Sequence, residues 1–127
     1  MLLDVKNSET GCLIPFELSS LPFIPKRFFV VSNNNAGDIR GNHAHINEEH
    51  FLICISGTVL VQKESKSGKE NIYLKKGNCI HQKELEWYTI TFIEKNTSLV
   101  VFANHEYTEE NYIRDYGEYK KQVENKK

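Results

Sequence analysis

This sequence has little of what marks several large classes of protein. Its 127 residues hold three cysteines, three prolines and one tryptophan, and its 16 basic and 17 acidic side chains nearly cancel. The balanced charge leaves no basic stripe for nucleic acid and no lysine–arginine cluster for an anionic membrane. The apolar runs are far too short to span a bilayer. We therefore expect neither nucleic acid nor a membrane among the partners of this chain.

The cysteines and the first residues indicate a cytoplasmic protein. Cys12, Cys54 and Cys79 are odd in number, widely spaced and without a Cys-x-x-Cys pair, which fits a reducing compartment. The N-terminus has no charged start followed by a long apolar segment, so no secretion signal is predicted. The length fits one domain with a single core, residues 1–127.

Short segments rich in Val, Ile, Phe, Thr and Tyr follow one another and are separated by polar turns. The predicted strands are 12–18, 27–32, 41–45, 50–56, 58–64, 71–74, 87–93 and 98–103. After Ala103 the pattern changes. Thr108 can cap a helix with an acidic first turn, and apolar residues at helical spacing continue to Val123. These patterns predict an all-β antiparallel barrel followed by a C-terminal helix over 108–123.

The most informative residues are two histidines one residue apart, His43 and His45. Side chains two apart on a strand point to the same face. Both imidazoles would therefore meet one bound molecule or one metal ion, and imidazole titrates where proton transfer at neutral pH needs it. We predict that the pair faces the interior of a small barrel; the competing interpretation is a pair on a solvent face.

The spacing around this pair is itself informative. Gly37 stands before His43 with five residues between them, His50 follows His45 after four, and Gly57 follows after six more. This spacing resembles the first cupin motif, which implies a jelly-roll barrel. Metal-binding cupins carry glutamate where His50 stands, and the second cupin motif is absent from the sequence. A metal site made by His43, His45 and His50 stays open as an alternative, because neutral imidazole binds divalent metals.

A second resemblance extends through most of the chain. It rests on the Lys-Arg-Phe-Phe-Val-Val segment 26–31, the Arg-Gly-Asn-His-Ala-His block 40–45, Gly57, Trp87 and the block 107–116, which contains Tyr-Ile-Arg-Asp-Tyr. These blocks resemble the sugar-nucleotide 3,4-ketoisomerases, a cupin family whose familiar members act on dTDP-4-keto-6-deoxyglucose in deoxysugar biosynthesis. The resemblance implies an isomerase without metal or cofactor. It also implies a homodimer whose N-terminal strands, within residues 1–25, are shared between subunits.

Two positions depart from the family pattern. The family usually has a tyrosine in the strand after Lys26 and Arg27, with its hydroxyl near the sugar, whereas here residues 28–31 carry no hydroxyl. Tyr88 is a candidate replacement. His50 stands where the family usually has glutamine. From the sequence, His50→Gln is expected to retain isomerase activity, or to release the ion if the protein is a metal enzyme.

The resemblance implies a reaction that moves a carbonyl from C4 to C3 of the sugar through an enediolate. Such a reaction needs acid–base groups at carbon and at oxygen. We predict His43 and His45 as the catalytic residues, with the roles of carbon and oxygen divided between them. A third interpretation is a cupin that binds a sugar nucleotide without catalysis.

The diphosphate of such a substrate requires cations, and arginine binds phosphate through two parallel hydrogen bonds. We predict Arg27 and Arg40 for this role, with surface ion pairs as the competing interpretation. Strand alternation places Arg40 opposite His43 unless a bulge at Gly41 intervenes. His50 and Trp87 complete the predicted substrate-binding residues, although Trp87 fits the core equally well.

Overall fold

Residues 1–125, the part of the chain described by the computed structural model, form eleven short strands and one α-helix. The strands are β1 (Lys6–Ser8), β2 (Gly11–Leu13), β3 (Arg27–Val31), β4 (Ile39–His45), β5 (His50–Ser56), β6 (Thr58–Ser65), β7 (Gly68–Lys75), β8 (Cys79–Gln82), β9 (Trp87–Phe92), β10 (Ser98–Ala103) and β11 (Tyr112–Ile113), and the helix is α1 (Tyr116–Asn125). The predicted all-β barrel with a C-terminal helix is confirmed. Within these residues, no helix has the length and apolar character needed to span a membrane.

Two antiparallel sheets enclose the main core. One has the strand order β3-β10-β5-β8 and the other β11-β4-β9-β6-β7, while β1 and β2 form a separate hairpin. Because side chains alternate along each strand, both sheets direct apolar residues into the space between them. The buried core residues are Leu52, Cys54, Val59, Val61, Leu74, Tyr88, Phe92, Leu99 and Val101. Burying a side chain of this size contributes about 1.5–3 kcal/mol.

The outer face of the four-stranded sheet is covered only in part. Leu3, Phe16, Leu21 and Phe23 of the N-terminal segment pack against apolar side chains on that face. Elsewhere the face remains open, because Phe28 and Val30 of the edge strand β3 are 65% and 54% exposed. The observed strand is shorter than the predicted strand 12–18. β2 ends at Leu13, and the chain then crosses the outer face of the sheet.

The C-terminal helix begins at Tyr116 rather than at Thr108. Residues 109–111 form a single 3₁₀ turn in which Thr108 makes no side-chain cap bond. Tyr112 and Ile113 then pair with β4 at the edge of the sheet. Asp115 caps the helix, because its carboxylate accepts a hydrogen bond from the backbone N–H of Glu118 at 2.9 Å. Tyr112 and Ile113 thus pair with the edge of the sheet, although their local pattern predicted a helix.

Strand β8 was not predicted from the sequence. It follows a Lys-Lys-Gly-Asn turn directly and contains histidine and glutamine in only four residues, so its pattern is weak. Pairing with β5 determines its conformation. His81 lies on this strand, where its Nε2 bonds to the Glu49 carboxylate.

Candidate active site

A cavity of about 460 Å³ opens between the two sheets. Apolar side chains from both sheets, including Leu52, Phe92 and Val101, line its inner part. Its polar lining consists of Arg40, His43, His50, Gln82, Tyr88, Tyr112 and Arg114. A concave, mostly apolar site with a few convergent polar groups is the usual form of a small-molecule binding site.

A bulge in β4 brings Arg40 and His43 to the same cavity. The register between β4 and β9 shifts between Gly41 and His43, and Gly41 and Asn42 have φ values of 86° and 55°. A Cβ on Gly41 would lie 2.7 Å from the carbonyl oxygen of Tyr88, so the close approach of the strands requires glycine. The bulge anticipated from the sequence therefore overrides the simple alternation that would separate Arg40 from His43.

His43 is held as a neutral base. Its Nδ1 lies 3.0 Å from the carbonyl oxygen of Gly41. Because a carbonyl only accepts, Nδ1 carries the hydrogen and Nε2 is the unprotonated nitrogen. Burial lowers the pKa of His43 to about 4, against the smaller raising effect of the Gly41 hydrogen bond. At neutral pH, His43 therefore offers an available Nε2 lone pair next to the cavity.

His45 lies behind the cavity lining. Its side chain is completely buried, and its ring centroid is 4.8 Å from that of His43 and 4.1 Å from that of His50. Neither ring nitrogen has a hydrogen-bond partner within residues 1–125. Burial lowers the pKa of His45 to about 2, and electrostatic repulsion from His50 and His43 adds to this effect. The predicted His-x-His pair thus points inward, but only His43 lines the cavity.

Glu48 is a functional candidate that the sequence patterns did not single out. It lies in the loop between β4 and β5 and is completely buried. Its carboxylate accepts hydrogen bonds from Arg27 at 3.1 Å, from Asn111 at 3.3 Å and from Nε2 of His50. A buried carboxylate is tolerated only when it is paired in this way. Glu48 therefore connects a guanidinium to a histidine that lines the cavity.

Arg27 and Trp87, both predicted to bind substrate, are not part of the cavity lining. The Arg27 guanidinium bonds to Glu48, to the Tyr112 hydroxyl at 3.2 Å and to the carbonyl oxygen of His105 at 3.3 Å. Trp87 packs under α1, with its ring centroid 5.3 Å from that of Tyr119. These contacts give Arg27 and Trp87 structural roles.

Tyr88, next to Trp87, points into the barrel, as strand alternation requires. Its hydroxyl donates to the carbonyl oxygen of His81 at 3.2 Å. Burial raises the pKa of Tyr88 well above its usual range. The Tyr88 hydroxyl is therefore neutral and bonded to the backbone, which makes it a poor replacement for a hydroxyl that must exchange protons.

Two arginines make part of the cavity lining positive. Arg40 is exposed and makes no ion pair within residues 1–125. Arg114 pairs with Glu109, with Nε 2.7 Å from the carboxylate, and its guanidinium lies 4.7 Å from the centroid of the Tyr112 ring. The same Arg114 side chain also lines the cavity. An anionic group that enters the cavity meets Arg40 and Arg114.

A metal site would have to use a different set of residues from the three predicted histidines. The ligand atoms of His45, Glu48 and His50 lie within 4.8 Å of one another, whereas His43 is not in this group. The Arg27 guanidinium already bonds to the same Glu48 oxygen as His50, and its charge opposes a cation there. Glu48 is therefore committed to hydrogen bonds with Arg27 and His50, and the set fits a divalent metal poorly.

An antiparallel jelly-roll barrel with an inward His-x-His pair beside its cavity is a cupin-type barrel built to hold a small molecule. The chain belongs to the family described as "FdtA: WxcM-like, C-terminal", whose model matches residues 2–124. The family resemblance predicted from the sequence is thereby confirmed.

Characterised relatives share both sequence and fold with this chain. The TDP-4-oxo-6-deoxy-α-D-glucose-3,4-oxoisomerase of Aneurinibacillus thermoaerophilus is 25% identical over 126 residues, covering 89% of this chain and 83% of the relative. A 3,4-ketoisomerase from Helicobacter canadensis is 29% identical with a TM-score of 0.87, covering 98% of this chain and 95% of that one. The sugar 3,4-ketoisomerase QdtA from Thermoanaerobacterium thermosaccharolyticum, solved with TDP, is 25% identical with a TM-score of 0.86, covering 97% and 91%.

Proposed function

We propose that this protein is a TDP-sugar 3,4-ketoisomerase, an enzyme that moves the carbonyl of TDP-4-keto-6-deoxyglucose from C4 to C3. The observation that carries the proposal is His43, a neutral base with an available Nε2 at the cavity, in a family whose relatives have this activity. The arginines at the cavity agree with an anionic substrate.

The reaction follows from the position of His43. Its Nε2 removes the proton on C3, which the neighbouring C4 ketone makes acidic, and the electron pair forms a C3–C4 double bond while charge collects on O4. The proton then returns from His43 to C4. The hydroxyl proton passes from O3 to O4, and C3 becomes the carbonyl carbon. His45, the other histidine predicted to be catalytic, lies behind the lining and can reach the sugar only through a neighbouring ring.

The diphosphate is assigned to the positive part of the cavity lining. Arg40 has no competing ion pair in the described chain and carries the planar fork that phosphate oxygens accept. Arg114 also lies in this part of the lining, although its charge is shared with Glu109. This assignment leaves the inner part of the cavity, next to His43 and His50, for the sugar ring.

The protein is proposed to act as a cytoplasmic homodimer. Its three cysteines are free, which agrees with a reducing compartment. The exposed Phe28 and Val30 on edge strand β3 provide an apolar surface that a second copy can cover. Light scattering at micromolar concentration is expected to give the mass of a dimer, and a monomer at that concentration would contradict the assembly.

The test is turnover of TDP-4-keto-6-deoxyglucose, followed by the appearance of the 3-keto sugar in NMR spectra. His43→Asn should lower kcat about 10²–10⁴-fold, the usual effect of removing a positioned base, while TDP binding measured by calorimetry is retained. His105→Asn is the matched control, because His105 lies outside the cavity lining and should retain turnover.

Two other results would replace the proposal. TDP binding without any turnover would identify a sugar-nucleotide-binding protein that is not an enzyme. Stoichiometric metal together with activity that a chelator abolishes would identify a metal-dependent cupin enzyme.

A further inference from the structure

We propose that His50, oriented by the buried carboxylate of Glu48, is a second catalytic residue, which carries the hydroxyl proton between O3 and O4 of the sugar. Glu48 is then a positioning residue that acts through His50. The inference depends on the proposed ketoisomerase function and assigns the proton transfer that His43 does not perform.

The hydrogen bond between Glu48 and His50 determines which ring nitrogen is available. The Glu48 carboxylate contacts Nε2 of His50 and, when ionised, can only accept, so Nε2 carries a hydrogen. Nδ1 has no hydrogen-bond partner in residues 1–125, and the side chain lines the cavity. A base oriented by a carboxylate on its far nitrogen is the arrangement of the Ser-His-Asp triad, in which the imidazole takes up and releases a proton during turnover.

Glu48 is itself held rigidly. Its Oε2 also accepts from Arg27, and its Oε1 accepts from the Asn111 amide. Both oxygens are therefore occupied, and the side chain is completely buried. The negative charge stays beside His50, where it stabilises the imidazolium that forms when Nδ1 accepts a proton.

The other polar groups of the lining do not fit this task. Gln82 does not titrate and its amide donates to the backbone oxygen of Glu86 at 3.0 Å. The Tyr88 hydroxyl donates to the backbone, and the Tyr112 hydroxyl accepts from Arg27. Arginine remains protonated at all relevant pH values. His43 and His50 are therefore the two lining groups with a ring nitrogen that can accept a proton and release it again.

The two histidines together balance the reaction. His43 moves the carbon-bound proton from C3 to C4. His50 accepts the O3 hydroxyl proton on Nδ1 and becomes an imidazolium, which donates the same proton to O4. As C4 is protonated, the electron pair on O3 forms the C3 carbonyl, and both histidines return to their neutral forms. No oxidant, metal or further co-reactant is needed.

The structure offers a matched control within the same fold. His81 and Glu49 form an equivalent carboxylate–histidine pair, but neither residue lines the cavity. His81→Gln therefore removes a histidine of the same kind without touching the site and should retain wild-type turnover.

The experiment compares His50→Gln, Glu48→Gln, His43→Asn and His81→Gln. His50→Gln should lower kcat about 10²–10⁴-fold with unchanged TDP affinity, and Glu48→Gln should lower kcat in the same direction. In deuterated water, His50→Gln should still exchange the C3 proton of the substrate, whereas His43→Asn should lose exchange and turnover together. This result would reverse the expectation, made from the sequence, that glutamine at position 50 retains activity.

Each other outcome has a definite meaning. If the wild-type protein isomerises and His50→Gln is as active as His81→Gln, this inference is wrong and the proposed function stands. If His50→Gln loses C3 exchange as fully as turnover, His50 does not act at the oxygens. Stoichiometric metal that is released by His50→Gln would also overturn it. An inactive wild-type protein would instead refute the proposed function itself. Because Glu48→Gln removes the partner of Arg27, its thermal midpoint and TDP affinity are measured beside its turnover.

Discussion

The burial of His45 should make this protein sensitive to mild acid. The pKa of His45 is lowered from 6.5 to about 2, first by burial and then by the neighbouring histidines. Below about pH 6.5 the unfolded chain binds a proton at His45, whereas the folded chain keeps this histidine neutral. Protonation therefore stabilises the unfolded state, and the free energy of unfolding falls as the pH falls below that value. A pH of about 5 is about 1.5 units below the pKa of this histidine in the unfolded chain. The corresponding loss of unfolding free energy is about 2 kcal/mol.

The assay is urea denaturation at about pH 7.5 and about pH 5. His45→Asn removes the titrating ring, so the loss of unfolding free energy between these pH values should be about 2 kcal/mol smaller in the variant than in the wild-type protein. Because each protein is compared with itself at the two pH values, any effect of the substitution on stability that does not depend on pH cancels. His105→Asn, which changes a histidine outside the core, should keep the full wild-type loss. An equal loss in His45→Asn and wild type would refute the argument.

Three further predictions concern the bulge, the cavity arginine and the helix cap. Gly41→Ala should lower the unfolding free energy in urea by about 1–2 kcal/mol for the left-handed backbone alone, and more if the Tyr88 carbonyl cannot move away from the new Cβ. Arg40→Met should weaken TDP binding in calorimetry about 10–100-fold, the value of one charge-assisted hydrogen bond, with thermal stability unchanged. Asp115→Ala should cost about 1 kcal/mol of stability and leave TDP binding unaltered, since Asp115 caps the helix and does not line the cavity.

The sequence predicted those parts of the molecule that local patterns determine. Strand β5 was predicted with its observed bounds, because an unbroken apolar run that ends at a Ser-Gly turn depends only on neighbouring positions. The inward direction of His43 and His45 follows from the alternation of side chains along a strand. The bulge at Gly41 was anticipated because Arg40 and His43 could share one face only with an irregularity between them, and a glycine stood at that point.

The remainder depends on contacts between distant segments. Glu48 became part of the site only when Arg27, from another strand, and Asn111, near the C-terminus, converged on it. The one local signal was its position two residues before His50. The helix start was misplaced for a related reason, since the edge of β4 paired with Tyr112 and Ile113. An Asp-x-x-Glu pattern at Asp115 and Glu118 was the signal that would have located it.

The bulge in β4 also limits the distance between the two side chains that it brings to the cavity. Arg40 and His43 stand three residues apart, so their backbones are separated by at most about 10 Å. If one molecule is to meet both side chains, its phosphate and its reacting carbon must lie within the reach that this short backbone spacing allows. A sugar with one more ring before its diphosphate would place the wrong carbon at His43. The covalent spacing of a single strand, rather than the width of the cavity, would then select monosaccharides over longer glycosides.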